Sequence, residues 1–481
     1  MGITLFKHQE QGASILDERP RYGLLWGCGI GKTITVLAGI DAGRKRGQVL
    51  KTLVICPLSV IEDAWIGDAV HFTGLNVLKC HGRTKQWRRA LLERRDDVEI
   101  WVTTFETFRT MAEDFYRCGV RRIVIDESTK IKNHEAKISK VTHQFVDSID
   151  RSHILTGTPT PNGEIDLWSQ VRAICPGLTG RQFYKWANRV CFPIRETIRV
   201  NREERSVIVS WRPRPGVWEA WLEEFTEYAW MMRTEEAVDL PKETDLIRRV
   251  KLGRAEREAY DLVEDELLLE TADGGEVNVS SQGRMMKTRQ LCGGFAYSTG
   301  EEYRDISGNL KRDRSTNVYG ESKMTAVLDW FAELGSEKVV MWADFVEDLT
   351  LLDRRLNEAG IKSKRIDGRV SGGDKQAAIN EFQDTASDLR VVICHPASAA
   401  HGITLTAARY AGFYSLTENP ELYEQARKRI HRVGQERPVF YVHFLAEDTV
   451  DDGLLLSLKG KMTRSEATKS ILAKRRAAKG L

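Results

Sequence analysis

Short apolar runs alternate with amphipathic stretches over residues 1 to about 180. Gly23–Trp26, Thr52–Cys56, Ile100–Thr103, Arg122–Asp126 and His153–Thr156 are mostly apolar, and polar, small or Pro residues end each run. Runs of this kind predict strands buried on both faces, and therefore a parallel sheet with helices on either side. The pattern breaks after Pro176-Gly177. Residues 181–320 are richer in Arg, Glu and Trp and are predicted to be mostly helical. The exception is Thr197–Trp211, a charged hairpin around Asn201-Arg202-Glu203-Glu204, while Asp273-Gly274-Gly275 and Ser298–Thr316 are expected to be loops. From about residue 321 the alternation returns. Lys338–Trp342, Ser363–Ile366, Val391–Cys394, Tyr410–Tyr414 and Val439–Phe444 predict a second sheet. The expected class is α/β, with lobes over 1–180 and 321–458, a helical insertion over 181–320 and a basic tail over 459–481. In such sheets, functional groups gather at the carboxyl ends of the strands.

Composition narrows the partners. The formal net charge of +3 is nearly balanced, so any nucleic-acid surface is local. Lys459–Lys479 is one dense basic stretch, with Glu466 its only acid. It is either a solvated basic end or a DNA-binding tail. The eight cysteines include no CxxC pair and no Cys/His cluster, which argues against structural zinc and fits a reducing compartment. The N-terminus has no basic-then-apolar signal pattern and no apolar run approaches about 20 residues, so no membrane association is expected.

Three segments carry candidate chemistry. Gly29-Ile30-Gly31-Lys32-Thr33 follows a predicted strand and opens a predicted helix. Backbone N–H groups of such a loop face phosphate oxygens; Lys32 would reach the outer phosphates and the Thr33 hydroxyl would bind Mg²⁺. The longer phosphate-loop pattern is not met, because Trp26 takes its first glycine position; a plain glycine turn is the competing reading. Asp126-Glu127 ends an apolar strand. Asp126 can hold Mg²⁺ and Glu127 can orient and deprotonate water, or the pair can cap the next helix. Gln425–Gln435 reads Gln-Ala-Arg-Lys-Arg-Ile-His-Arg-Val-Gly-Gln. On a helix, Gln425, Arg429 and Arg432 share one face, which presents two guanidiniums suited to phosphate. Together these segments predict an ATP site split across two lobes and completed on closure. Two weaker signals stand beside them. Thr156-Gly157-Thr158 at a strand end could sense the phosphate state or form an ordinary turn. Gln9, near Phe6 and His8, could read an adenine edge or lie on a plain surface.

In this order the motifs resemble the Swi/Snf family of superfamily-two helicase-like ATPases over nearly the whole chain. Phe6–Gly12 resembles the adenine-reading Gln motif, Leu53–Val60 with Trp65 motif Ia, and Thr103–Glu106 motif Ib. Asp126–Asn133 resembles the DEAH-Lys-Asn box and Leu155–Asn162 motif III. Asp239–Pro241 and Thr288–Phe295 resemble segments flanking the helical insertions, and Ser322–Met324 the start of the second lobe. Arg365–Gly368, Ala400–Ala408 (motif V) and Gln425–Gln435 (motif VI) complete the set. The resemblance implies two RecA-like lobes that close over ATP and Mg²⁺, with Arg429 and Arg432 as arginine fingers. It implies a duplex-DNA track using Ser59, Thr104 and Thr404, and coupling through Thr156, Gly157, Thr158 and Gly402.

The sequence departs from the family in three places. Trp26-Gly27 replaces an acidic pair. Ser128-Thr129 takes the third and fourth positions of the acid box, so a coupling His is missing. Ser415 and Glu418 stand where an Asp and a Trp are usual. The expectation is a compact member of phage or bacterial type, monomeric and cytoplasmic, translocating on duplex DNA. A strand-separating helicase with the 197–211 hairpin as its pin, and an ATP-gated binding module with weak catalysis, are the alternatives.

Overall fold

The computed structural model describes residues 5–27, 29–161, 163–200, 203–271, 279–304, 310–399 and 403–460. The chain divides into two compact units, Met1–Asp239 and Leu240–Leu481. Among the described residues, nine strands lie in the first: β1 (Arg21–Trp26), β2 (Thr52–Cys56), β3 (Val77–Lys79), β4 (Ile100–Thr104), β5 (Arg122–Asp126), β6 (Arg151–Leu155), β7 (Cys191–Val200), β8 (Glu203–Pro213) and β9 (Ala229–Met232). Seven of them form one sheet in the order β3-β4-β2-β5-β6-β1-β9, with parallel pairing throughout.

The apolar runs explain this sheet directly. Leu53, Ile55, Ile123, Ile125 and Ile154 point into one core, while Val54, Cys56, Val124 and Leu155 point into another on the opposite face. Both side-chain sets of the central strands are buried, so the sheet must be covered twice, and helical crossovers do that for parallel strands. The helix Phe105–Arg117 is one such cover. Phe105, Phe108, Met111 and Phe115 recur at helical spacing and are buried, and the Thr104 hydroxyl caps the helix by accepting from Thr107 N at 3.3 Å.

The second unit carries β10 (Glu243–Val250), β11 (Phe295–Arg304), β12 (Leu310–Val318), β13 (Val339–Trp342), β14 (Ser363–Ile366), β15 (Val391–Cys394), β16 (Tyr410–Phe413) and β17 (Val439–Ala446). Its six-stranded sheet runs β10-β17-β16-β13-β15-β14, again parallel. Val340, Trp342, Val392 and Cys394 fill one core and Val339, Met341, Val391 and Ile393 the other.

The 181–320 segment departs from the helical expectation. It contains helices, but β9 joins the first sheet beside β1 and β10 joins the second beside β17. β10 is an edge strand with Leu246 and Ile247 exposed and charges interspersed, so it lacks the apolar run that marks a central strand. The expected loop at Ser298–Thr316 lies largely within β11 and β12, an antiparallel pair. A two-stranded ribbon outside a core needs no apolar run, which is why its polar composition reads as loop. The hairpin expected at Thr197–Trp211 is present and longer, with β7 and β8 paired from Cys191↔Pro213 to Val200↔Glu203. Asp273–Gly275, the Asn201-Arg202 tip, Gly402 and the tail beyond Gly460 lie outside the described residues. Among the described residues, no helix is long and apolar enough to cross a membrane.

Candidate functional site

In the first unit, the loops after β1, β6 and β5 end three neighbouring strands. Gly31 caps the helix Lys32–Lys45 with φ of 85°, a conformation glycine adopts without penalty. A Cβ there would collide with the Gln9 amide nitrogen. The Gln9 amide donates to Ile30 O at 3.2 Å, and its oxygen accepts from Phe6 N at 3.0 Å. Gln9 therefore braces the glycine loop, with the His8 ring nitrogen also 3.0 Å from Ile30 O. Trp26 is fully buried and packs edge-on against His8 and Trp230, which accounts for a bulky ring at the first glycine position of the loop. Gly29 has φ of 82°.

Lys32 and Thr33 open the helix, where backbone N–H groups and the dipole favour an anion. Lys32 Nζ donates to the carbonyls of Trp26 and Gly27 at 2.8 and 2.9 Å, so the ammonium is held over the loop. Asp126 ends β5 and accepts from the Trp65 indole N–H at 2.9 Å. Burial pushes the Asp126 carboxyl above its ordinary range, while the Trp65 hydrogen bond and the Lys32 charge oppose that rise. The Lys32 charge thus reaches the Asp126 carboxyl across the loop.

Glu127 has φ of 62°, a left-handed backbone that costs about 1–2 kcal/mol in a non-glycine residue. Its Oε1 accepts from the hydroxyls of Thr129 at 2.9 Å and Thr156 at 3.4 Å. Thr156 also accepts from Thr158 N at 3.2 Å, and Gly157 lies in the turn between them. The strand-end turn and the acid pair are therefore one hydrogen-bonded assembly.

The proposed phosphate contacts divide. Ser59 sits half-buried in a short turn after β2. Thr104 ends β4 but is buried, and its hydroxyl is engaged as the cap described above. His81, which the sequence did not mark, lies beside it, its Nδ1 3.2 Å from Thr104 Oγ1 and 3.1 Å from Thr107 Oγ1.

In the second unit, the expected helix over Gln425–Gln435 stops early: it spans Pro420–Arg427. Arg429 and Arg432 lie beyond it, so the shared helical face is corrected. Two contacts end the helix. Arg429 Nε donates to Gln425 O at 2.9 Å, and Leu405 N, from a distant segment, donates to Arg429 O at 2.9 Å. The two arginines still converge, because each donates to Ile403 O at 3.2 Å. Thr404, half-buried, is held between Ile403 and Leu405 in that bonded segment. Gln425 is buried and donates to Glu421 at 3.3 Å.

Arg427, unmarked by the sequence reading, anchors this region. It is buried, pairs with Asp245 at 2.6 Å and Glu243 at 3.2 Å, and stacks 3.9 Å from the Tyr441 ring centre. The sequence departures before Gln425 have local partners. Ser415 Oγ accepts from Asp344 N at 2.8 Å, and Glu418 pairs with Arg289 at 3.1 Å.

Two parallel sheets, each covered by helices on both faces, are two RecA-like lobes, the first carrying a glycine loop and a strand-end acid pair. Residues 8–294 match the SNF2-related domain and residues 322–434 the helicase conserved C-terminal domain. The chain belongs to the SNF2-related family. It is 24% identical to the ATP-dependent DNA helicase DDM1 of Arabidopsis thaliana, over 90% of this chain and 57% of that protein. It is 23% identical to a Caenorhabditis elegans homologue of the SWI/SNF-related matrix-associated actin-dependent regulator of chromatin, subfamily A, containing DEAD/H box 1, over 90% and 48%. The chain thus spans about half the length of these relatives. Putative protein p41 of Acyrthosiphon pisum secondary endosymbiont phage 1 is 24% identical, with 89% of each chain covered. The Sulfolobus solfataricus SWI2/SNF2 ATPase core in complex with dsDNA aligns at 21% identity and a TM-score of 0.43, covering 98% of this chain and 94% of that one.

Proposed function

We propose that the chain is a DNA-stimulated ATPase that couples ATP hydrolysis to movement along duplex DNA, remodelling the DNA or displacing bound proteins. The observation that carries this reading is the grouping of Lys32, Thr33, Asp126, Glu127 and Thr156 at the carboxyl ends of three neighbouring parallel strands, where open α/β sheets bind ligands. The residues fit ATP. Gly31 leaves no room for a Cβ, so backbone N–H groups can line a phosphate closely, and Lys32 binds the outer phosphates. Mg²⁺, held by Thr33 and Asp126, would neutralise phosphate charge when bound. Glu127 orients the attacking water and takes its proton. Arg429 and Arg432 supply positive charge for the transferred phosphate.

Ser59 and Thr404 contact backbone phosphates, which gives weak sequence preference. The likeness to a phage protein supports a bacterial cytoplasm as the place of action. The β7–β8 hairpin, with strands of 10 and 11 residues, supports strand separation as a second reading. ATP turnover measured with duplex, single-stranded, forked and RNA substrates tests the proposal. Duplex DNA is expected to stimulate most. A larger effect of forks favours strand separation, and no response to any nucleic acid overturns both readings.

A further inference from the structure

The acid box lacks its usual coupling His, yet Ser128 and Thr129 are both buried and both engaged. Ser128 Oγ donates to Gln170 Oε1 at 2.7 Å. Gln170 Nε2 donates to Pro159 O at 2.7 Å and to Asp166 O at 2.8 Å. All the hydrogen-bonding groups of this amide are then engaged, and turning it over would set its oxygen against two carbonyls. Gln170, Ser128 and Thr156 are each 0% exposed and Thr129 is 2% exposed.

These bonds close a ring. From the Glu127 carboxylate it passes to the Thr156 hydroxyl, then to Thr158 N, and through the chain to Pro159 O. From there it passes to Gln170, to Ser128, and back along the chain to Glu127. Thr129 adds a second hydroxyl to the same Glu127 oxygen. Glu127 holds a left-handed backbone, its carbonyl accepting from Lys130 N at 3.0 Å. Its neighbour Ser128 is the point at which that strained segment is tied to the helix Leu167–Ile174.

We propose that Gln170, through Ser128, is the positioning residue that transmits movement of the Thr156–Pro159 segment to Glu127, and that Thr129 sets the orientation of the Glu127 carboxylate. The inference rests on Glu127 being the water-activating group. A displacement of Pro159 pulls on a buried amide whose oxygen and nitrogen are both engaged, and the amide pulls on the residue next to Glu127. Close-packed interiors transmit such shifts rather than absorbing them. The hydroxyl and amide chain thereby does the work the missing His leaves undone.

The test uses the full chain carrying Thr129→Val, Thr129→Ser, Gln170→Leu or Gln170→Met, with ATP turnover measured with and without plasmid duplex over a range of ATP concentrations. Thr129→Val is expected to lower kcat at least tenfold with the KM for ATP changed less than about twofold, because the carboxylate loses the hydroxyl that orients it. Thr129→Ser restores kcat. Gln170→Leu and Gln170→Met are expected to reduce the ratio of DNA-stimulated to basal turnover at least fivefold. A purely structural role lowers both rates together and leaves that ratio unchanged. An unchanged ratio in folded Gln170 variants, with kcat in Thr129→Val within about twofold of the unaltered protein, overturns the inference. Normal turnover by Glu127→Gln, or no turnover by the unaltered protein, overturns instead the reading on which it rests.

Discussion

The Glu127 carboxylate, half-buried under two threonine hydroxyls, and a lysine held over a glycine loop have separable jobs, and single substitutions separate them. Lys32→Ala is expected to abolish ATP turnover by weakening phosphate binding. Glu127→Gln keeps shape and backbone, so ATP binding persists while kcat falls by about 10²–10⁴; equilibrium binding of a fluorescent ATP analogue beside steady-state turnover distinguishes the two. Arg432→Ala is expected to lower turnover by about 10³ or more, with a smaller change in ATP affinity by the same assays. A different residue contributes to the acid sensitivity of the first unit. Burial, with Arg122 and Arg151 nearby, pushes the His153 imidazole down to about 3, and its Nε2 lies 3.1 Å from Arg19 O. The unfolded chain binds that proton near pH 6.5. Below 6.5 the unfolded state therefore holds more protons than the folded one, and stability falls as pH drops from about 6.5 towards 3. His153→Gln is expected to lose less of its thermal midpoint between pH 7 and pH 5 than the unaltered protein.

At the scale of elements, Gly31 is where loop becomes helix. Gly31→Ala must adopt a positive φ and displace the Gln9 amide, so the loop shifts. The expected result is a large loss of ATP affinity with secondary structure by circular dichroism unchanged. The element boundaries also show what sequence pattern carries. Thr52–Cys56, Arg122–Asp126 and Val391–Cys394 are strands with the bounds the apolar runs predict, because a strand buried on both faces writes its whole length in apolar residues; the edge strand Ser363–Ile366 keeps its predicted bounds although only Ile366 is buried. The helix at Gln425 did not end where its pattern did. Lys, Arg and Gln sustain helical propensity, and what opposes continuation is the Arg429 guanidinium on Gln425 O together with Leu405 N, from a distant segment, on Arg429 O. Lys32, Asp126 and Glu127 were legible because their chemistry repeats at fixed spacing after strands. Gln170, Arg427 and His81 were not. A lone Gln, Arg or His acquires its meaning from partners that only tertiary structure supplies. Arg427 shows the size of such a hidden contribution: Arg427→Met removes charged hydrogen bonds worth about 1.5–3 kcal/mol each, and denaturant unfolding is expected to show the second unit destabilised accordingly.

At the scale of the whole molecule, the near-balanced charge leaves local basic segments to set nucleic-acid affinity. A chain ending at Leu458 is expected to bind duplex DNA more weakly, with a shallower dependence on salt, because fewer counterions are released. Its maximal ATP turnover should be largely retained, since no proposed ATP-site residue lies beyond Arg432. Identical affinity and salt slope would leave the tail without a DNA role.

The pairing of β10 with β17 has a consequence for how the protein is made. β9 meets β1, a strand already synthesised, so the first sheet is complete as soon as β9 has emerged. β10 has the opposite history. Its partner residues, Val439–Ala446, emerge about 200 residues later, a delay of roughly 10–40 s at about 5–20 residues per second. Throughout that interval the strand presents an unpaired backbone to any neighbour on the polysome. Ribosomes stalled before Val439 would therefore carry a first unit whose sheet is complete, joined to a second unit whose β10 has no partner strand.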